Sequence, residues 1–160
     1  MTYTFRPDYL CMIVWLATVT PTLIAAGGND VPARPDCQFT RPPDWDQTWV
    51  AWEGECRDGM AHGPGVLRGY DDGQAKRIFF GVMNNGDLDI GVIEIPEGYI
   101  AGQFLHGNIQ RNTDRNMIIK AFQEASLAAA IAAGRFRASG KDDSAEFYAR
   151  KSRELSQQME

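Results

Sequence analysis

The sequence predicts an α+β fold: an antiparallel β-hairpin sheet of about six strands, followed by a C-terminal two-helix hairpin. Three observations predict it. Glycines recur in pairs five residues apart, Gly54/Gly59, Gly81/Gly86 and Gly102/Gly107, with an aromatic or large apolar residue within two positions of each first glycine. The pairs lie 27 and then 21 residues apart, a recurrence that marks a stack of small units, none able to bury its apolar face alone. Turn signals Asp58-Gly59, Asp72-Gly73, Asn85-Gly86 and Pro96-Glu97-Gly98 separate short alternating runs, and Asn-Gly or Asp-Gly supplies the positive φ values of tight hairpins. After Gly107 the composition changes: Asn116 to Ala138 is alanine-rich and free of proline.

Residues 1–27 read as a targeting segment. Arg6 and the amino terminus supply a thin positive region, Leu10 to Ala26 is uncharged and mostly apolar over 17 residues, and Ala25-Ala26-Gly27-Gly28 offers small residues for cleavage. A membrane span takes about 20 apolar residues, and Thr18, Thr20, Pro21 and Thr22 weaken this run. A cleaved secretory signal is the favoured reading, with an uncleaved anchor as the alternative.

Residues 28–48 form a lead-in carrying Pro32, Pro35, Pro42 and Pro43. Without the leader, Cys37 and Cys56 remain of the three cysteines, and an even pair in an exported chain reads as one disulfide. Closing the 18 intervening residues stabilises the fold by about 3 kcal/mol on the loop-entropy estimate. The bond pins the lead-in onto the first strand.

The repeat region spans 49–112. Its strand-like runs include Trp49 to Trp52, Ile78 to Val82 and Ile90 to Ile95. Glycines inside such strands mean close approach of neighbouring backbones or faces.

The helical region spans 113–160. Ile118, Phe122, Ala125, Ala129, Ala132 and Phe136 recur at four- and three-residue steps, one face of a helix, with Thr113 or Asp114 as its cap. Ser139-Gly140-Lys141 breaks the pattern. Asp143 and Glu146 are spaced as a capping box opening a second helix to about Gln158, striped by Tyr148, Leu155 and Met159. The pair is expected to cover the sheet; a partner or homodimer surface is the alternative.

The stretch Trp52-Glu-Gly54-Glu-Cys56-Arg-Asp-Gly59, ending in Gly63-Pro64-Gly65, resembles the MORN repeat: aromatic, x, Gly, x, aromatic, x, x, Gly, then Gly-x-Gly. Phe79 to Gly86 keeps the first half, with Gly91 where a Gly-x-Gly belongs one residue earlier. Ile100 to Gly107 recovers the aromatic Phe104 but has no Gly-x-Gly tail. The resemblance implies a hairpin sheet used as a scaffold, with Cys56 standing where an inward aromatic belongs. MORN proteins are also discussed as lipid binders.

The net charge is −5, and residues 28–112 hold 7 basic against 13 acidic side chains. An acidic sheet argues against nucleic acid and against anionic membranes. His62 and His106 each precede a glycine and read as turn or solvated histidines. Asp71-Asp72 and Asp87-Leu88-Asp89 offer too few oxygens in sequence for calcium. Neither a catalytic set, a metal site nor a cofactor motif is present. Trp45, Trp49 and Trp52 remain: Trp52 reads as core, Trp45 between Asp44 and Asp46 as exposed, and Trp45 and Trp49 as candidate binding residues. The expected function is a non-catalytic exported protein, bacterial and periplasmic, that docks another protein as an adaptor or assembly factor. An immunity-type inhibitor of a toxin and a cell-wall glycan binder are the alternatives.

Overall fold

The computed structural model describes residues 37–159 apart from Thr48, Asn112 and Thr113. The leader and the first part of the lead-in, to residue 36, lie outside the described residues. Six strands follow in chain order: β1 (Trp49–Arg57), β2 (Met60–Asp71), β3 (Gln74–Asn84), β4 (Asp87–Ile95), β5 (Gly98–Leu105) and β6 (Asn108–Ile109). They form one antiparallel meander with spatial order identical to sequence order. Helices α1 (Arg115–Ala138) and α2 (Asp142–Gln157) complete the α+β arrangement.

The two glycines of each pair do different work. The second sits in a two-residue hairpin turn. In Asp58-Gly59, Asn85-Gly86 and His106-Gly107 both residues have positive φ, near +50° and then between +77° and +84°. That is the requirement of a type I′ turn, whose twist matches the strands it joins. Asp72-Gly73 repeats the geometry between β2 and β3. The first glycine lies inside a strand. Gly65, Gly81, Gly91 and Gly102 stand in register across β2, β3, β4 and β5, so a furrow without side chains crosses four strands. The aromatic two positions earlier lays its ring into it: Cβ atoms on Gly81 and Gly91 would come within 2.6 and 2.8 Å of the Phe79 ring.

Bulges account for the slipped spacing of the second repeat. Opposite the single residue Gly54, β2 accommodates Gly63, Pro64 and Gly65 between the pairs Glu53↔Val66 and Glu55↔His62. In the next hairpin only Asp89 is extra, between Val82↔Ile90 and Met83↔Leu88. One inserted residue fewer brings Gly91 into the furrow one position earlier.

Strand alternation divides the core into two layers. Val66, Phe80 and Val92 face the helices, packed with Ala121, Ala125, Ala129, Ala132 and Phe136. Leu67, Phe79 and Ile93 face the other way, with Val50, Trp52, Met83 and Phe104. Alanine along α1 lets the helix lie close across β2 to β5. Asp114 caps α1, its Oδ1 accepting from the Met117 amide at 2.8 Å. In the first turn Met117 packs on the core while Ile118 remains 37% exposed, unlike the apolar face read from the sequence. The expected capping box of α2 does not form either: Lys141 holds the N-cap without a side-chain bond, and Asp142 and Asp143 lie in the first turn. Carboxylates there still complement the helix dipole.

Candidate functional site

The described lead-in, residues 37–47, runs across the three repeat turns. Its Gln38 amide donates to Gly59 O at 2.8 Å, and its Thr40 amide donates to Gly86 O at 2.8 Å. Pro42 and Pro43 then lie against Gly107, where a Cβ would come within 2.7 Å of Pro43 Cδ. Each second glycine of the repeat thus sits beneath one step of the lead-in. The bond between Cys37 and Cys56 fixes its start to β1, as the cysteine count predicts. Beyond Pro42 the chain turns back, with the Trp45 amide donating to Pro42 O at 3.0 Å and Arg41 Nη1 donating to Gln47 O at 2.8 Å.

This turn corrects one sequence expectation. Trp45 is 3% exposed and joins the core layer of Phe79, Ile93 and Phe104. Asp44 and Asp46 are exposed on either side while the indole points inward, so flanking charges misrepresent the residue between them. Trp49 is the one that stays accessible, at 38%, on edge strand β1, its ring 4.9 Å from that of Tyr70. Trp52 is buried as expected, and its Nε1 donates to Glu55 O at 3.1 Å. Sequence pattern therefore ranked Trp52 correctly, whereas Trp45 depends on a fold-back that periodicity does not carry.

Between the lead-in and the far end of the sheet lies a groove of about 320 Å³. Its origin is legible in one cross-strand row. Trp52, Leu67, Phe79, Ile93 and Ile100 are partners in register from β1 to β5. The first four are buried, but Ile100 is 37% exposed. In the first two repeats the residue two before the first glycine of the pair, Gly54 or Gly81, is aromatic, Trp52 or Phe79. In the third it is Ile100, which has no ring to lay down. The groove opens here, floored by Ile93, Ile100 and Phe104 and walled by Trp45. Its polar rim holds Arg77 from β3, Arg111 beyond β6, Asn108 and Asp44. Among the described residues neither arginine has an ion-pair partner. Nothing in the sequence singles out these arginines, because their meeting depends on the sheet register and the path of the lead-in.

Two further polar clusters serve the packing. Lys151 on α2 reaches Glu94 on β4 at 2.6 Å and Glu154 at 3.0 Å. Burial works against the Lys151 ammonium, but its hydrogen bonds to Glu94 and Glu154 outweigh that and hold its pKa above the usual lysine value. Beside it, burial raises the Tyr99 phenol. Deeper, Arg68 is 6% exposed, with its guanidinium 5.4 Å from the Tyr70 ring centre and 5.9 Å from that of Phe136. Burial pushes Tyr148 up to about 12, with Arg68 acting in the opposite sense. His62 lies in β2 opposite Glu55, whereas His106 occupies the β5–β6 turn, its Nδ1 3.9 Å from Asp87 Oδ2. Among the described residues no group of three His, Cys, Asp or Glu side chains is placed to hold a metal.

Comparison of the chain with protein-family models, with curated proteins and with solved structures finds no match.

Proposed function

We propose that this protein is a non-catalytic, exported adaptor or assembly factor that docks another protein on a MORN-like sheet. The observation that carries this reading is the groove at the third repeat, where a buried apolar row emerges beside two arginines that have no ion-pair partner among the described residues. Helix α1 packs on one face of the sheet, and Cys37 and Trp45 of the lead-in pack on the other. Export is supported by the apolar leader and by the Cys37–Cys56 bond, since such bonds persist in oxidising compartments. In a bacterium that compartment is the periplasm. Resemblance to MORN repeats gains support from the separate roles of the paired glycines, one under a ring and one in a turn.

Burial of Trp45 removes one of the two indoles on which glycan stacking would rest, so a protein partner is the better fit. Affinity purification from the native cell envelope tests the reading, combined with intact mass of the recovered chain under non-reducing conditions. A stoichiometric protein partner, whose capture weakens with salt, is expected. The recovered mass should correspond to a chain lacking the leader and holding one disulfide. Recovery from the cytoplasm with free thiols, or with no partner, overturns it.

A further inference from the structure

Resting on that protein-docking reading, we infer that the groove takes a short extended peptide segment of the partner, bearing an aromatic or large aliphatic side chain close to a carboxylate. Three observations converge on this chemistry. The first is the vacancy in the repeat pattern. Phe79 covers Gly81 and Gly91, Trp52 covers Gly65, and Ile100, the non-aromatic residue at the end of the row, is 37% exposed. A ring supplied from outside would extend the row, edge-on to Phe104, as Phe79 already meets Phe104 with centroids 5.7 Å apart at 87°. Such aromatic pairs contribute beyond the area they bury.

The second is charge. Residues 28–112 carry 13 acids and only 7 bases, yet Arg77 and Arg111 both border this one groove, against the single carboxylate of Asp44. Guanidinium groups bind carboxylates in a bidentate fork. The surplus cation therefore selects a carboxylate at this groove. This differs from the basic target that overall charge suggests.

The third is the backbone. Strand β5 carries Ile100, and β6 pairs with it only at Phe104 and Leu105. Among the described residues no strand pairs with the outer side of Gly98 to Gly102. An extended peptide can therefore pair its main chain with β5 while alternate side chains enter the groove, as in recognition by strand addition.

The test uses the full exported chain with its disulfide intact, presented to phage-displayed random heptapeptides. Two variants accompany it: Ile100→Trp, which supplies the missing ring from within, and the double charge reversal Arg77→Glu with Arg111→Glu. Ile100 and Arg111 are exposed and Arg77 is half-buried, and denaturant unfolding checks that each variant remains folded. Enriched peptides are expected to combine an aromatic or large aliphatic residue with Asp or Glu within three positions. The best of them, fluorescein-labelled, should lose at least tenfold in affinity against each variant. Failure of any peptide to enrich, or affinity within threefold for both folded variants, overturns the inference. Envelope capture separates this from the adaptor reading. A partner retained by wild type and by Ile100→Trp alike overturns the groove and leaves the adaptor standing, whereas capture by neither overturns the adaptor itself.

Discussion

A Cβ atom added to Gly65 would stand 2.5 Å from Cη2 of Trp52 and 2.7 Å from the Glu53 carbonyl oxygen. The indole, anchored through its Nε1 to Glu55 O, therefore occupies the space that a side chain at position 65 would need. The backbone carbonyl beneath cannot give way as a flexible side chain can. The same indole fills the space over Gly54, and the aromatic-x-glycine spacing of the sequence is the record of that contact.

Alanine scanning of the glycines should accordingly separate into two classes. Gly65→Ala and Gly81→Ala force a ring and a backbone apart and are expected to destabilise by about 2–3 kcal/mol, the upper part of the overpacking range. At Gly73 a Cβ meets nothing, and only the positive φ of +74° is penalised, about 1 kcal/mol. Urea midpoints at constant m-value would measure both. Equal losses at positions 73 and 81 would mean that the furrow is not tightly filled.

Trp45 and Trp49 make a second contrast. Truncating the buried Trp45 to alanine removes a ring from the layer of Phe79 and Phe104 and should destabilise by about 3–5 kcal/mol. Trp49, 38% exposed on the edge strand against Tyr70, should lose about 1 kcal/mol on the same substitution. Thermal unfolding of the two variants side by side gives the order. A silent Trp45→Ala would return that residue to the surface.

These contrasts show what the residue pattern carries and what it does not. Turn glycines were legible because positive φ restricts residue choice locally, as at Asp58-Gly59 and Asn85-Gly86. The layering of Phe79 and Phe80 on opposite faces follows from strand alternation alone. Helix α1 was legible from its alanine face, although Met117 takes the place expected of Ile118. The path of residues 37–47 was not legible beyond its disulfide anchor, since its Gln38 and Thr40 amides bond turn carbonyls 21 and 46 residues away and its Gln38 carbonyl accepts from the Ala61 amide. The groove inherits that opacity. It gathers Trp45, Arg77, Ile100 and Arg111 from four separate segments, and no local spacing relates them.

Alkaline pH should unfold the protein through Tyr148. Its folded pKa of about 12 lies above the ordinary 10.0 because burial penalises the phenolate. Between these values the unfolded chain releases the proton that the folded chain keeps, so stability falls as pH rises. The loss begins near pH 10 and, at 1.36 kcal/mol per unit, approaches about 3 kcal/mol above pH 12. Lys151, whose folded pKa is also raised, loses its contribution in the same direction as pH climbs past 10.5. Denaturant titrations from pH 9 to 12 should therefore show a steep decline that Tyr148→Phe flattens and does not abolish. An unchanged slope in that variant would place the titration elsewhere.

The disulfide offers the most direct handle on the lead-in. Replacing Cys37 and Cys56 together by serine frees the start of residues 37–47 and should lower stability by about 3 kcal/mol, the estimate for a loop of this length. The loss should be local before it is global. The Gln38 and Thr40 amides donate hydrogen bonds to Gly59 O and Gly86 O, so their hydrogen-exchange protection should fall furthest. Amides of β3 and β4, inside the sheet, should track the global change alone. Because Trp45 at the other end of this segment walls the groove, the same double variant should also weaken peptide capture without altering Arg77 or Arg111. If Thr40 exchange stays as slow as in the bridged protein, the lead-in is held by its packing and the bond contributes little to its placement.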